Sequence, residues 1–302
     1  MVRCLCDLGK STSREEIYAP HILAANFPEH SLNRFLTRRI VPEVVVPIEV
    51  EDLLPALAQA KEKAQRVTCM NNEKQLYFGL HMYTDDNRDN LPVLFGAASW
   101  CWDTPAPAAQ TILDNGCQLK TFYCPSTSPE YTDNENFLNP YPKSLWNYNF
   151  PPGTSTANTN YFHIVGYTFA LNGPNSKLNA RYQNKKLIGE THIIQGSPSI
   201  VDSVADRTLI ADVIISGANT YPATAGEPFQ GITGLFYKPH LSAHLNRQVP
   251  RGANVVAKDG HAQWKKFNSP PSGFSVPAGS TWLSAEDTYT MVRTTSSPYF
   301  WW

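Results

Sequence analysis

The stretch that decides the fold is DLLPALAQAKEKAQRVTCMNNEKQLYFGLHMYT, residues 52–84. Asp52 is a typical helix N-cap, and Pro55 stands in the first turn, where its missing N–H is tolerated. Apolar side chains then recur at steps of three and four residues: Leu53, Leu57, Ala60, Ala64, Val67, Leu76, Leu80 and Tyr83. This spacing predicts one amphipathic helix of about 30 residues, about 45 Å long.

The polar residues of this helix fall into two sets. The first is predicted to face solvent and comprises Lys61, Glu62, Lys63, Gln65 and Arg66. The second, Asn71, Asn72 and Gln75, is predicted to hydrogen-bond to loops that lie over the helix.

The chain divides into a leader and one domain. Residues 1–51 are an atypical, weakly patterned leader, and the domain spans residues 52–302, with the helix at about 52–84, a loop-rich region at about 85–200 and a sheet at about 201–302. Strand patterns occur at 167–171, 207–216 and 253–267, the last interrupted by Asp259–Gly260, a strong hairpin-turn signal. The predicted class is α+β, with a long N-terminal α-helix packed on an antiparallel sheet and a large loop-rich insertion.

Composition restricts the function classes. Proline is 24 of 302 residues and the aromatic fraction is 12%, which favours short elements joined by packed loops. The formal net charge is −1, and no basic surface for nucleic acid is expected.

No membrane span is predicted. The nearest candidate, residues 35–54, carries six charges, and their insertion would cost on the order of 15 kcal/mol. Residues 1–34 lack the apolar core of a secretory signal peptide.

The cysteines and acidic residues offer weak metal signals. The six cysteines contain no CxxC pair, so a structural zinc is not predicted, and disulfides remain open beside free buried thiols. Asp85, Asn87 and Asp89 have the opening spacing of a calcium loop, but the sixth and twelfth positions are Asn90 and Gly96. A capped helix end explains these residues better.

A histidine group is the remaining candidate for chemistry. His240 and His244 are four residues apart, Asp259 and His261 flank the hairpin turn, and Asp212 stands on another predicted strand. Their convergence would bind zinc or calcium and favour a metal-dependent hydrolase. The alternative is that each histidine hydrogen-bonds separately to a nearby carbonyl, and we expect no catalytic residue and no cofactor.

Aromatic residues support a different alternative. Trp100, Trp102 and Trp146 on one open face would favour a carbohydrate-binding or surface-recognition module, whereas their burial would argue against it. The terminal run Tyr299-Phe300-Trp301-Trp302 is expected to pack into the body.

Several blocks together resemble a known family. They are 54–64 (LPALAQAKEKA), 69–76 (CMNNEKQL), 83–87 (YTDDN), 122–126 (FYCPS), 252–255 (GANV) with Asp259-Gly260-His261 and Trp264, and 300–302 (FWW). The combination is similar to bacterial type IV pilin-like proteins, and more narrowly to type II secretion pseudopilin-like proteins with a prepilin-type processing-associated H-X9-DG C-terminal domain.

The resemblance implies a non-enzymatic subunit of a surface filament or secretion apparatus. It implies a long helix on an antiparallel sheet, with the N-terminal half of the helix in a membrane or a bundle of identical helices, and an extracytoplasmic location. Its partners would be copies of itself or other pilin-like subunits, and polysaccharide under the alternative above. It also implies a disulfide between Cys69 and Cys124, and Pro55 matches the proline that follows the membrane segment of the family.

The sequence departs from the family pattern at two places. Residues 1–51 replace the basic leader and apolar helix, and fourteen residues, not nine, separate His244 from Asp259.

Overall fold

The computed structural model describes residues 50–128, 130–188, 193–194, 200–201, 207–217, 220–221, 229–233, 236–268, 274–275, 294 and 298–302. All of them belong to one compact unit, Glu49–Trp302. The leader predicted at residues 1–51 lies almost entirely outside the described residues, as does most of the segment weighed as a membrane span. Within the described residues, no helix combines the length and apolar character needed to cross a bilayer.

The predicted long helix is present as α1, Val50–Asp86, 37 residues and about 55 Å long. Its C-terminal half buries one face, made by Cys69, Leu76, Tyr77 and Leu80. Cys69 and Leu76 are about two helical turns apart, and Leu76 and Leu80 about one turn apart, so these side chains lie on one side of the helix. This face packs on the sheet and on the short helical turns Leu119–Phe122 and Pro125–Thr127.

The main sheet consists of four antiparallel strands, β3 (Tyr167–Phe169), β6 (Thr208–Asp212), β11 (Gly252–Ala257) and β12 (Ala262–Lys266). They lie side by side in the order β12, β11, β6, β3. Val255 pairs with Ala211 on one side and with Gln263 on the other. Every residue of β11 is buried, because the strand is paired on both edges and covered on both faces. The predicted α+β class is confirmed.

The predicted hairpin forms around Asp259 and Gly260. Ala257 N–H donates to the His261 carbonyl at 3.0 Å, which closes the turn between β11 and β12. Gly260 has φ +84, a left-handed conformation that glycine adopts without strain.

The region predicted to be loop-rich contains more regular structure than expected. Its first elements are β1 (Asp103–Pro105), α2 (Ala106–Asp114) and β2 (Phe162–Ile164), and β1 pairs with β2. The α2 helix has proline in its first turn and buries Ala106, Ala109 and Ile112 at steps of three, a signal hidden by the proline-rich composition. Gly79 of α1 makes room for α2, because a Cβ there would lie 2.9 Å from the Ile112 side chain.

Short two-residue strands complete the structure. They are β4 (Ile193–Ile194), β5 (Ile200–Val201), β7 (Ile215–Ser216), β8 (Thr220–Tyr221), β9 (Leu245–Asn246), β10 (Val249–Pro250), β13 (Phe274–Ser275) and β14 (Tyr299–Phe300). They pair as β4 with β5, β7 with β14, β8 with β13 and β9 with β10. Two further short helical segments are the π-helical turn Asn134–Leu138 and the 3-10 turn Ala180–Tyr182.

The terminal aromatic run packs into the body, as predicted. Phe300 is fully buried, and the Trp301 indole donates to Ser216 Oγ at 2.7 Å. This contact adds a side-chain hydrogen bond to the pairing of β14 with β7.

The predicted solvent face of α1 is wrong in part. The Arg66 guanidinium lies 3.9 Å from the centre of the Trp264 ring and pairs with Glu62. Gln65 donates to the Pro125 carbonyl at 3.1 Å. These residues face the body because they precede Cys69 by seven, four and three positions, which places them on the same side of the helix as the buried face. Lys61 and Lys63 are exposed, as predicted.

Candidate functional site: a buried polar cluster

The helix, the sheet and two loops meet at a cluster of buried polar side chains. Helix α1 contributes Cys69 and Glu73, four residues apart and therefore on one face. Asp212 lies at the end of β6, Cys124 precedes the turn Pro125–Thr127, and His244 precedes β9. All five side chains are buried.

A disulfide joins Cys69 to Cys124, with the two Cα atoms 5.4 Å apart. The pairing implied by the family resemblance is therefore confirmed. It fastens α1 to a loop 55 residues away in sequence, directly beside the other cluster members. Cys101 and Cys117 are free within the described residues.

Asp212 and His244 form a fully buried pair. His244 Nε2 lies 3.3 Å from Asp212 Oδ2, and both side chains are inaccessible to solvent. Asp212 Oδ2 also accepts hydrogen bonds from the backbone N–H and the side-chain amide of Asn254, at 2.7 and 3.0 Å. His244 Nε2 is 3.8 Å from Cys124 Sγ. The carboxylate thus orients the imidazole toward the disulfide.

Local contacts fix the His244 backbone. Its φ is +51, an uncommon conformation for a residue with a side chain. The backbone N–H donates to Ser126 Oγ at 3.0 Å, and the carbonyl accepts from Arg251 N–H at 3.0 Å. The Cys-Pro-Ser segment therefore holds the histidine as well as supplying the sulfur.

Glu73 is the cluster member that sequence analysis missed. Burial, and secondarily the Asp212 charge, hold the pKa of the Glu73 carboxyl well above its usual range. Burial likewise raises the pKa of the Tyr167 hydroxyl, which accepts a hydrogen bond from Asn72 at 3.1 Å. A carboxyl in the apolar register between Cys69, Leu76 and Leu80 was the signal that could have revealed it.

Several buried atoms of the cluster have no hydrogen-bond partner among the described residues. They are both carboxyl oxygens of Glu73, Asp212 Oδ1, His244 Nδ1 and Asn254 Oδ1. Buried polar atoms without partners are rare in folded proteins and often mark a place where an ion or water binds.

The cluster contains one set of atoms that could hold a metal ion. One ligand atom from each of Cys69, Cys124, Asp212 and His244 lies within 4.8 Å of the others. Of the residues weighed as metal ligands, His244 and Asp212 belong to this set, whereas His240, Asp259 and His261 do not. Within the residues that the structure describes, it is the one such group.

The other predicted ligands lie in unrelated surroundings. His240 stacks on Trp102 with ring centres 4.5 Å apart, and burial lowers its pKa to about 4. Asp259 Oδ1 contacts His261 Nδ1 at 2.7 Å across the exposed hairpin turn. The Asp85–Asp89 segment contains the end of α1 and the turn after it, where Asn87 N–H bonds back to the Thr84 carbonyl.

An aromatic pocket of 280 Å³ lies apart from the cluster and includes Trp100, Trp102 and His240 in its lining. Burial raises the pKa of Asp103, also in the lining, to about 7. Trp102 and Trp146 are only 5% and 8% exposed. The three tryptophans therefore do not form the open face that would favour carbohydrate stacking.

Comparison with known proteins gives no assignment: no protein-family model, curated protein or solved structure matches the chain.

Proposed function

We propose that the protein is a non-enzymatic, pilin-like or pseudopilin-like structural subunit that assembles with copies of itself through the outward face of α1. The single observation that carries the proposal is an apolar stripe on the N-terminal half of this helix that stays exposed among the residues the structure describes. Leu53, Leu57 and Val67 are 44%, 62% and 59% exposed.

The stripe is opposite the face that packs on the sheet. Successive helical residues are rotated by about 100°, so Leu57 and Glu73 point about 160° apart. Ala60 and Ala64 belong to the same stripe and are exposed. Phe78 and Met82 extend it toward the C-terminus, at 63% and 46% exposure. With these exposures, the stripe does not pack on the described sheet.

One apolar face of α1 packs on the body of the protein, and a second apolar face is exposed to solvent. Exposed apolar surface of this extent marks a site of association with another molecule. Burying each large side chain contributes about 1.5–3 kcal/mol, so five such residues per copy contribute on the order of 10 kcal/mol. That is comparable with the cost of association, about 4–15 kcal/mol. The small residues Ala60 and Ala64 would let two helices approach closely.

A second copy of this chain is the occupant that fits best, because it offers an identical long apolar stripe. The buried disulfide supports an extracytoplasmic location, where disulfides persist.

The test is the concentration dependence of the mass of the purified full chain, measured by light scattering and by electron microscopy of concentrated samples. We expect reversible association that is weakened at least tenfold by Leu57→Lys and by Val67→Lys. The matched control is Leu138→Lys, which charges a leucine that is 63% exposed but lies outside α1.

A protein that stays monomeric at every concentration would contradict the proposal. So would equal weakening by the Leu138 control, since that result would point to a general effect of surface charge.

A further inference from the structure

The disulfide lies next to two groups that commonly bind transition metals. His244 Nε2, Asp212 Oδ2 and the sulfurs of Cys69 and Cys124 occupy one buried volume, with all four ligand atoms within 4.8 Å of one another. In the disulfide form the sulfurs are bonded to each other and are not thiolate ligands.

We infer that Cys69, Cys124, Asp212 and His244 form a tetrahedral zinc site when the disulfide is reduced. The site is a second way of fastening α1 to the Cys-Pro-Ser segment, used in place of the disulfide. This inference is independent of how the subunits assemble.

The distances fit zinc coordination. With Zn–S of about 2.3 Å and Zn–N or Zn–O of about 2.0 Å, tetrahedral geometry needs about 3.3 Å between nitrogen and oxygen ligands and about 3.5 Å between nitrogen and sulfur. The observed separations are 3.3 Å from His244 Nε2 to Asp212 Oδ2 and 3.8 Å from His244 Nε2 to Cys124 Sγ. The two sulfurs must separate to about 3.8 Å, and the remaining ligand pairs already lie within 4.8 Å of one another, so the adjustment is one that side-chain rotation can provide.

The ligand types also fit. Two thiolates, an imidazole and a carboxylate are all zinc ligands, and a closed four-ligand set is typical of structural rather than catalytic zinc. Asp212 is already oriented by two hydrogen bonds from Asn254, the kind of outer support that metal-ligating carboxylates receive.

A dithiol reductant transfers two electrons and two protons to the disulfide, giving two cysteine thiols and the oxidised cyclic disulfide of the reductant. Zinc then displaces one proton from each thiol, and coordination through Nε2 leaves the neutral imidazole proton on Nδ1.

The surroundings can accept the added ion. Two thiolates and the Asp212 carboxylate carry three negative charges, so the site has a net charge of −1 once Zn²⁺ is bound. A neighbouring buried side chain is therefore better neutral than negatively charged. Burial favours the neutral, protonated form of Glu73. Its carboxyl has no hydrogen-bond partner among the described residues.

The experiment uses the full chain, unfolded in denaturant, reduced with a dithiol, stripped with a chelator and refolded under reductant with zinc or cobalt. We expect about one zinc per chain in the reduced protein and almost none in the disulfide form. X-ray absorption should give two sulfur ligands at about 2.3 Å and two nitrogen or oxygen ligands at about 2.0 Å.

Variants separate this site from the other thiols. A Cys4→Ser, Cys6→Ser, Cys117→Ser background removes three of the remaining cysteines and should keep one zinc per chain. In that background, Cys69→Ser and His244→Gln should each abolish stoichiometric binding and the thiolate-to-cobalt charge-transfer absorption. His261→Gln, outside the cluster, should leave both unchanged.

Three results would overturn the inference: no zinc bound by the reduced wild-type protein, a ligand shell without two sulfurs, or full binding after Cys69→Ser. Because the first two are measured on the wild-type chain, a variant that fails to fold does not affect them.

Discussion

The Tyr77 hydroxyl of α1 donates a hydrogen bond of 3.0 Å to the Lys258 carbonyl, 181 residues later in the chain. The same ring covers the hairpin turn, since a Cβ on Gly260 would lie 2.6 Å from Tyr77 Cε1. Helix α1 and the β11–β12 hairpin therefore pack in close contact at the Asp259–Gly260 turn.

Gly260→Ala should destabilise the protein for two reasons, its φ of +84 and the contact with Tyr77. The matched control is Gly153→Ala, because Gly153 has the same φ and nothing within 4 Å of the added Cβ. We expect about 1–2 kcal/mol for the control and about 1–3 kcal/mol more for Gly260→Ala. Denaturant unfolding measures both, and equal losses would mean that the ring moves aside freely.

Removing the disulfide should lower the free energy of unfolding. The crosslink closes a loop with a sequence separation of 55, for which the chain-entropy relation gives about 4 kcal/mol. Cys69→Ala with Cys124→Ala should show this loss in metal-free buffer, whereas Cys117→Ser, a free and half-buried thiol, should change stability much less. A loss below about 1 kcal/mol would contradict the expected constraint.

His240→Phe should reduce the loss of stability in acid. Burial lowers the pKa of His240 from 6.5 to about 4, so between these values the unfolded chain binds the extra proton and stability falls as pH decreases. From pH 7 to pH 5 this loss is about 2 kcal/mol, which the phenylalanine variant should lack. Unfolding curves at the two pH values measure it, and parallel behaviour of variant and wild type would contradict the prediction.

Asp103→Asn should remove a loss of stability that occurs in the wild type as pH rises, the reverse of the His240 effect. Burial raises the pKa of Asp103 to about 7, against hydrogen bonds from the Ser99 and Trp100 N–H groups. The folded chain binds the extra proton between pH 3.8 and 7, so wild-type stability falls as pH rises through that window. An asparagine oxygen can accept the same two hydrogen bonds. Between pH 5 and pH 8 the variant should gain about 3 kcal/mol relative to wild type.

Asp114→Asn provides the control for that measurement, because this carboxyl is exposed at the end of α2. It should follow the wild-type curve at both pH values. A difference as large as that of Asp103→Asn would assign the effect to net charge.

The sequence by itself determined the elements whose signals are local. The apolar periodicity from Leu53 to Tyr83 predicted α1, and Asp259–Gly260 predicted the hairpin, because a helix period and a turn dipeptide depend on neighbouring residues. The helix α2 also had a local signal, in its proline start and the spacing of Ala106, Ala109 and Ile112.

Only the tertiary structure decided which residues meet. Periodicity showed that α1 has an apolar face but not that Leu57 points outward while Cys69 and Glu73 point to the sheet. Nor could it bring Asp212 and His244 together beside the disulfide, because these residues come from separate elements and are joined by long-range packing. Local sequence thus determines the conformations of α1 and of the hairpin, and packing between elements determines which side chains come together in the candidate site.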